Sequence, residues 1–163
     1  MFEKLTVLQN LDIAAGAGRR PLSLLRRRSS TPPEVEETLE AVNLSQVRHS
    51  QAAALAHGQK KWLEIGMLLV QNARVLLLDE PMAGMSSEER TQTGELLRRV
   101  GTKRTVVVVE HDMEFMRSFA TSVTVLHAGR VLSEGTVAQV QADPKVREVY
   151  LGRAVTCAVT EEI

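Results

Sequence analysis

Two adjacent carboxylates follow the aliphatic stretch 75–78, in the run Val-Leu-Leu-Leu-Asp-Glu-Pro. A buried strand that ends in Asp79 and Glu80 would place both acids at the carboxyl edge of an open α/β sheet, where such sheets bind ligands. Burying two neighbouring carboxylates is costly unless a cation or a proton transfer needs them. The pair therefore predicts a site for a cation or for proton transfer, and a strand that simply meets solvent is the alternative.

Two further segments could take part in the same chemistry. Residues 55–59, Leu-Ala-His-Gly-Gln, stand at the start of a predicted helix. Gly58 would let the backbone approach a ligand closely, and a helix N-terminus favours an anion, although a plain helix start would look much the same. His111 follows Glu110 at the end of the next predicted strand, which places it along the same sheet edge as Glu80. A structural histidine is the alternative there.

The helices that precede the acid pair follow from turn signals and hydrophobic spacing. Residues 16–33 concentrate Gly, Pro, Ser and Arg, which predicts an exposed connection between two helical pieces. A helix is predicted to begin there, with Thr31 as its cap and Glu34 completing a capping box. A second helix is predicted over residues 58–71. The residues predicted to share a helix face are Val35, Leu39 and Val42 in the first helix and Leu63, Met67 and Val70 in the second.

The pattern then changes to strands. Residues 75–78 and 105–109 are short runs without alternation, as expected of strands buried on both faces. Ser86 is predicted to cap the intervening helix, with Glu89 three residues on, and this strand–helix–strand order predicts a parallel sheet with right-handed crossovers. The remaining predicted elements are a helix over 113–119, a hairpin around Ala128-Gly129 and short helices around Val137 and Val146.

Composition limits the classes of function. The chain has 163 residues, with Lys plus Arg and Asp plus Glu both at 20, so net charge gives no argument for a nucleic-acid partner. Aromatic residues are only 3%, which disfavours stacking on bases. The single cysteine, Cys157, excludes an internal disulfide framework. No apolar run approaches the length of about 20 residues that a membrane helix needs, so direct membrane insertion is not expected.

The order and spacing of these features resemble the C-terminal part of an ABC-transporter ATP-binding subunit. Residues 55–59 correspond to the signature pentapeptide, usually Leu-Ser-Gly-Gly-Gln, residues 76–79 to the Walker B strand and residues 83–86 to the D-loop. The sequences of residues 58–67 and 109–115 are similar to those of subunits that energise uptake of urea or branched-chain amino acids, most closely the urea type. The resemblance covers nearly the whole chain.

The resemblance implies a fold and a set of roles. The fold class is α/β, a partial P-loop-NTPase-type ABC ATPase domain whose helical signature subdomain is followed by a mostly parallel sheet with flanking helices. ATP and Mg²⁺ would be the cofactors. Asp79 would hold the Mg²⁺, directly or through water, and Glu80 would be the catalytic residue, as general base or by orienting the attacking water. His111 would contact the γ-phosphate and sense its loss, and Ser86 would serve in the D-loop. The signature residues, which would act in trans on a partner's nucleotide, are Leu55, Ala56, His57, Gly58 and Gln59.

Three departures from the family pattern stand out. Ala56 and His57 replace the usual Ser and Gly, which removes a hydroxyl from the phosphate contact. Ser86 stands where the D-loop usually carries Asp. No Gly-x-x-x-x-Gly-Lys-Ser/Thr loop occurs in the sequence. We therefore expect that Met1 begins part-way through the subunit and that the chain alone is inactive.

Two hypotheses of function follow from the resemblance. The first is an ATP-hydrolysing subunit of an uptake transporter, in fragment form, for urea or a related small nitrogenous solute. It would lie in the cytoplasm against the inner membrane face, bound to permease subunits and to a second ABC ATPase subunit of the same or another kind. The alternative is a non-catalytic module that offers its signature face to an intact partner, and nucleic-acid binding is disfavoured. The predicted parts are residues 1–72 (helical, with the signature), 73–153 (Walker B to switch histidine) and 154–163 (tail).

Overall fold

The computed structural model describes residues 1–16 and 31–149. Within them no helix is both long and apolar enough to cross a bilayer. The chain divides into two compact units, of which the first is Met1–His111 and the second begins at Asp112. The predicted connection over residues 16–33 and the predicted tail fall mostly or wholly outside the described residues. The helices are α1 (Val7–Gly16), α2 (Pro33–Ala41), α3 (His57–Leu69), α4 (Ser87–Gly101), α5 (Met113–Phe119) and α6 (Val137–Ala142), and the strands are β1 (Val75–Asp79), β2 (Thr105–Val109), β3 (Val123–His127) and β4 (Arg130–Gly135).

Helices α1, α2 and α3 pack against one another in the first unit. Gly66 of α3 lies where the three helices meet, because a Cβ there would touch Leu11 of α1 and Thr38 of α2 at 3.3–3.4 Å. The predicted apolar faces are confirmed except at Met67, which is half-buried. The fully or nearly fully buried members of this core include Leu11, Val35, Leu39, Val42 and Leu63.

The predicted cap of α2 is wrong. The helix begins at Pro33, and its N-cap position falls on Pro32, which is extended at φ −60° and ψ 142° and has no side chain that could accept a hydrogen bond. Proline disfavours the helical region for the residue before it, and Thr31 and Pro32 each precede a proline, so both stay outside the helix. No side chain of the described residues caps the start of α2 with a hydrogen bond.

Strands β1 and β2 form a parallel pair in register from Val75–Thr105 to Asp79–Val109, joined by α4. This confirms the predicted strand–helix–strand unit. Helix α4 begins where the sequence places it, because the Ser86 Oγ accepts the Glu89 N–H at 3.3 Å and Glu89 Oε2 accepts the Ser86 N–H at 2.9 Å. That reciprocal pair is the predicted capping box.

The prediction that these strands are buried on both faces is wrong for the described residues. Burial alternates along β1, where Leu76 and Leu78 are buried while Val75 and Leu77 are 53% and 71% exposed. The same alternation appears in β2, where Val107 and Val109 are exposed. Alternate side chains of a strand point to opposite faces, so one face of the pair packs inside this unit while the other remains accessible.

The second unit is built on the antiparallel pair β3–β4. Ala128 and Gly129 both have positive φ, at 48° and 75°, as a two-residue hairpin of the predicted kind requires. Helix α5 has the predicted bounds, with Asp112 accepting the Glu114 and Phe115 N–H groups at its start. The apolar cluster of this unit contains Val123, Val125, Val137, Val140 and Val146.

Candidate functional site

The carboxyl end of β1 carries the predicted acid pair in an unusual backbone conformation. Asp79 is the last residue of the strand, and Glu80 follows it at φ 42°, in the left-handed region that a side chain with a Cβ seldom adopts. The Glu80 N–H still donates to the Val109 carbonyl at 3.0 Å, which extends the parallel ladder by one bond. Left-handed strain at a non-glycine residue concentrates at functional sites, because surrounding structure must impose it.

His111 lies beside Glu80, as the sequence predicts. Its Nδ1 is 3.7 Å from Oε1 of Glu80 and 3.8 Å from Oε2 of Glu110. Both distances are longer than a hydrogen bond, so the imidazole and the carboxylates are neighbours without a direct bond. The side chains of His111 and Glu80 are 80% and 59% exposed, so water reaches both.

Glu110 is a site residue that the sequence analysis noted only as the neighbour of His111. Its side chain is 3% exposed, Oε1 accepts the Met82 N–H at 3.2 Å and Oε2 accepts the His111 N–H at 3.3 Å. It thereby joins the segment after Glu80 to the segment after β2. The period of two in β2 was the available signal, because it places Glu110 on the opposite face from the exposed Val109.

The expected burial of Asp79 and Glu80 is therefore wrong, since both are exposed and Glu110 is the buried acid. Asp79 shares the exposed face of β1 with Val75 and Leu77, which follows from the same alternation. The cost of burying two adjacent charges, which motivated the site prediction, does not arise in this unit.

The five signature residues stand at the start of α3 with different surroundings. Leu55 is buried and Ala56 is the exposed N-cap residue of the helix. Gln59 uses its Oε1 to accept the Ala56 N–H at 3.1 Å, which stabilises the helix start within the chain. His57 is exposed, and its Nε2 lies 2.9 Å from the carbonyl oxygen of Ala83.

Gly58 leaves room for a side chain of α4 in the same chain. A Cβ at this position would lie 2.1 Å from Oε1 of Glu89, the residue whose other carboxylate oxygen bonds the Ser86 N–H. The group that approaches Gly58 in the described chain is a carboxylate of α4, and the approach of a ligand stays a prediction. Sequence reasoning could not find this contact, because residues 58 and 89 belong to separate helices.

The chemistry of the strand end fits a nucleotide-bound Mg²⁺. Mg²⁺ is usually held by one or two carboxylates together with waters and substrate phosphates. The part of the chain that the structure describes holds no group of three or more side chains that could form a complete protein cage for a metal ion. Asp79 offers a single exposed carboxylate at the sheet edge, which suits a metal that arrives with its phosphates.

Comparison with known protein families agrees with this geometry. A family model described as ABC transporter matches residues 1–83, just over half of the chain. The chain belongs to the ABC transporter family. A second model, described as branched-chain amino acid ATP-binding cassette transporter, matches residues 130–156.

Relatives of known name extend the match over nearly the whole chain. The branched-chain amino acid transport ATP-binding protein BraF of Pseudomonas aeruginosa is 31% identical over 166 residues, which cover 94% of this chain and 65% of that protein. Its counterpart LivG of Escherichia coli is 30% identical with the same coverage. The chain thus covers 65% of the length of these relatives, slightly less than two thirds. Relation to the branched-chain amino acid group is shown, and the urea type stays a prediction.

Solved structures support the fold class. The ADP conformation of MJ1267, an ATP-binding cassette of an ABC transporter, is similar with a TM-score of 0.73 and 28% identity, over 93% of this chain and 64% of that one. The predicted α/β fold of an ABC ATPase cassette is confirmed. The roles of the individual site residues stay predictions.

Proposed function

We propose that this chain is an ATP-binding and ATP-hydrolysing component of an ABC uptake transporter. The observation that carries the proposal is the placement of Glu80, which a left-handed backbone turns out of the end of a parallel strand to within 3.7 Å of His111. Neither the fold nor the packing of the unit needs an exposed acid and an exposed imidazole side by side. A hydrolytic site needs both, one to handle the attacking water and one to contact the transferred phosphoryl group.

The site residues divide these tasks. Asp79 would hold the Mg²⁺, which, when bound, neutralises charge on the phosphates. The Glu80 carboxylate would orient the attacking water and accept its proton, and its 59% exposure leaves it open to that water. His111 would donate a hydrogen bond to the γ-phosphate and lose that contact after hydrolysis. Residues 55–59 and Ser86 would act across a dimer, on the nucleotide held by a second ATPase subunit.

The assembly would resemble that of the relatives. The partners would be a second ABC ATPase subunit and membrane-embedded permease subunits, which would hold this chain at the inner face of the cell membrane. The solute would be small and nitrogenous, either a branched-chain amino acid, as in the names of BraF and LivG, or urea, as the wording of residues 58–67 and 109–115 suggests.

The test uses an extended chain, in which the N-terminal third of a full-length relative, with its Gly-x-x-x-x-Gly-Lys-Ser/Thr loop, precedes Phe2. We expect Mg²⁺-dependent phosphate release from the extended chain. Asp79→Asn should weaken the Mg²⁺-dependent part of nucleotide binding, and an unchanged Mg²⁺ requirement would remove Asp79 from the metal site. An extended chain that folds, binds ATP and releases no phosphate would overturn the proposed hydrolysis.

A second candidate function is the non-catalytic module, which would give its signature segment to an intact subunit. It is favoured by one observation, that Ala56 and His57 of the signature are exposed at the start of α3. A chain of these 163 residues also contains no phosphate loop of the family's pattern. Losing several charge-assisted hydrogen bonds, each about 1.5–3 kcal/mol, would move a micromolar affinity for ATP to millimolar or weaker. Calorimetric titration of the unextended chain with Mg-ATP should therefore show no tight binding. Stimulation of an intact subunit's hydrolysis by this chain would select the module.

A further inference from the structure

The imidazole of His57 lies against the turn that follows Glu80. Its Nε2 is 2.9 Å from the Ala83 carbonyl oxygen. Because a carbonyl can only accept, Nε2 must carry the proton and donate it, which fixes the tautomer of the ring. The ring also covers Gly84, where a Cβ would lie 3.1 Å from the same Nε2 and from Cδ2. A glycine at position 57, usual in the signature pentapeptide, could make neither contact.

The turn that receives this contact begins at the candidate catalytic acid. The Ala83 N–H donates to the Glu80 carbonyl at 3.2 Å, and the Met85 N–H donates to the Met82 carbonyl at 3.1 Å. At the Met82 N–H the turn is held by the buried Glu110 carboxylate. At the next residue, Ala83, it is held by His57. The turn is thus bonded on one side to Glu110, the neighbour of His111, and on the other to α3, called here the signature helix because it begins in residues 55–59.

We infer that His57 is a positioning residue for Glu80: its hydrogen bond to the Ala83 carbonyl fixes the turn after Glu80 to the signature helix of the same chain. When the signature segment moves, the turn that carries Glu80 moves with it. The contact exists within one chain and needs no nucleotide, and only its consequence for catalysis rests on the proposed function. The signature position would then serve the chain's own site as well as a partner's.

Hydrogen exchange of the full chain, without nucleotide, tests the inference. The amides of Ala83 and Met85 report opening of the turn. In His57→Gly and His57→Asn we expect both amides to exchange about fivefold faster, the ratio that one net hydrogen bond of about 1 kcal/mol produces. His57→Gln should stay within about twofold of wild type, because its amide nitrogen is as many bonds from Cα as Nε2 is, whereas that of Asn is one bond nearer.

Two amides serve as controls in the same spectra. The Thr105 N–H, bonded to the Arg74 carbonyl, reports the far end of the parallel ladder and should not change in any variant. The Lys60 N–H, bonded to the Ala56 carbonyl, reports fraying of the signature helix, so equal changes at Lys60 and Ala83 would assign the effect to the helix and overturn the inference. The ¹⁵N spectrum of the His57 ring should show a protonated Nε2.

The inference is overturned if Gly and Asn at position 57 leave the turn unchanged, if Gln behaves as Gly does, or if Nε2 is the unprotonated nitrogen. None of these outcomes depends on ATP. If Gln rescues the turn while the extended chain fails to hydrolyse ATP, the inference stands and the proposed function fails. If the extended chain hydrolyses ATP while all three variants exchange like wild type, the proposed function stands and His57 has no positioning role.

Discussion

The signature segment and the carboxyl edge of β1 differ in how fully the rest of the chain accounts for their residues. In the signature segment, Gln59 bonds the helix start, Gly58 makes room for Glu89, and His57 bonds the Ala83 carbonyl at 2.9 Å. At the sheet edge, Glu80 and His111 are exposed and 3.7 Å apart, and the backbone of Glu80 is strained at φ 42°.

The difference distinguishes residues that the fold itself requires from residues that the fold does not require. A side chain that bonds its own chain at hydrogen-bond distance is explained by the fold, whatever else it does in an assembly. The exposed Glu80 carboxylate lies beyond hydrogen-bond distance of its neighbour His111, at 3.7 Å, while its backbone is held at φ 42°, and strain of this kind costs on the order of 1–3 kcal/mol. The edge is therefore the stronger indication of chemistry, although the signature segment is the more recognisable motif.

The largest effect is expected at the edge. In the extended chain, Glu80→Gln should lower the rate of phosphate release by about 10²–10⁴, because the amide keeps the shape of the side chain but cannot accept a proton. ATP binding, followed by calorimetry, should remain. Glu95→Gln, at an exposed position further along α4, removes the same charge from a residue with no assigned site role and is the matched control. Turnover near wild type in Glu80→Gln would remove the distinction between the two regions.

Gly84 and Gly129 offer a matched pair that sharpens the comparison. Both have φ near 75°, but the His57 ring covers the Cβ position of Gly84, whereas no described residue places an atom within 4 Å of that position at Gly129. Alanine should cost about 1 kcal/mol of backbone strain at each site, and about 1 kcal/mol more at Gly84, where the hydrogen bond of His57 is displaced. The free energy of unfolding of each variant is measured from the amide signals of the unit that carries the substituted glycine.

The control for this pair is the His57→Gly background. There the extra cost of Gly84→Ala should disappear and the two glycines should become equivalent. A difference that survives without the imidazole would mean that the strain at Gly84 has another source.

Gly58→Ala should have a smaller effect on the free energy of unfolding, and the direction of this effect should depend on whether Glu89 is present. The new Cβ displaces the Glu89 carboxylate and its bond to the Ser86 N–H, at a cost of about 1 kcal/mol, partly offset by the better helix propensity of alanine. In the Glu89→Ala background the same substitution should stabilise the chain, because only the propensity remains. Urea unfolding of the wild type, the two single variants and the double variant measures the coupling free energy between residues 58 and 89. Destabilisation that persists without Glu89 would contradict the contact.

Local signals in the sequence predicted most of the elements, and the one helix cap that they misplaced has a local cause. The Ser86–Glu89 capping box and the hairpin at Ala128-Gly129 are encoded within a few residues, and both are confirmed. Parallel pairing of β1 with β2 also follows from the order of the elements. The Thr31 cap failed because two consecutive prolines move the helix start, a local effect that the capping pattern outweighed in the prediction.

The candidate site was predictable in its positions but not in its environment. Asp79, Glu80 and His111 lie at one sheet edge, as strand ends must. The burial of Glu110 and the approach of Glu89 to Gly58 join residues far apart in the sequence, and no single-sequence periodicity reports such pairs. The exposed face of β1 was missed because an unbroken aliphatic run gives no sign of which alternate residues are covered.

The smallest effect is expected at an ion pair that lies in the helical region, away from both sites. Arg48 Nη1 donates to Glu36 Oε2 at 2.9 Å and Nη2 to Oε1 at 2.6 Å, a bidentate pair far shorter than the separation of His111 and Glu80. The hydrogen bonds from Arg48 hold the pKa of the Glu36 carboxyl below its usual value, and the Thr31 hydroxyl adds to this. The pair is therefore another charged group that the fold accounts for.

The direction of this shift fixes the pH dependence. A carboxyl whose pKa is lowered by folding contributes stability that is present above its ordinary pKa of about 4.3 and is lost as the pH falls through the lowered value. Glu36→Gln should therefore destabilise the chain slightly near pH 6, and the difference from wild type should shrink as the pH falls through the lowered pKa of Glu36, because the wild-type carboxyl then becomes neutral. Glu37→Gln, which changes the same charge on the exposed neighbour, should show a smaller pH-dependent difference in urea unfolding. An unchanged gap between wild type and Glu36→Gln across this range would show that the bidentate geometry of the pair is not maintained in solution. A short distance alone would then not separate structural charges from the charges at the sheet edge.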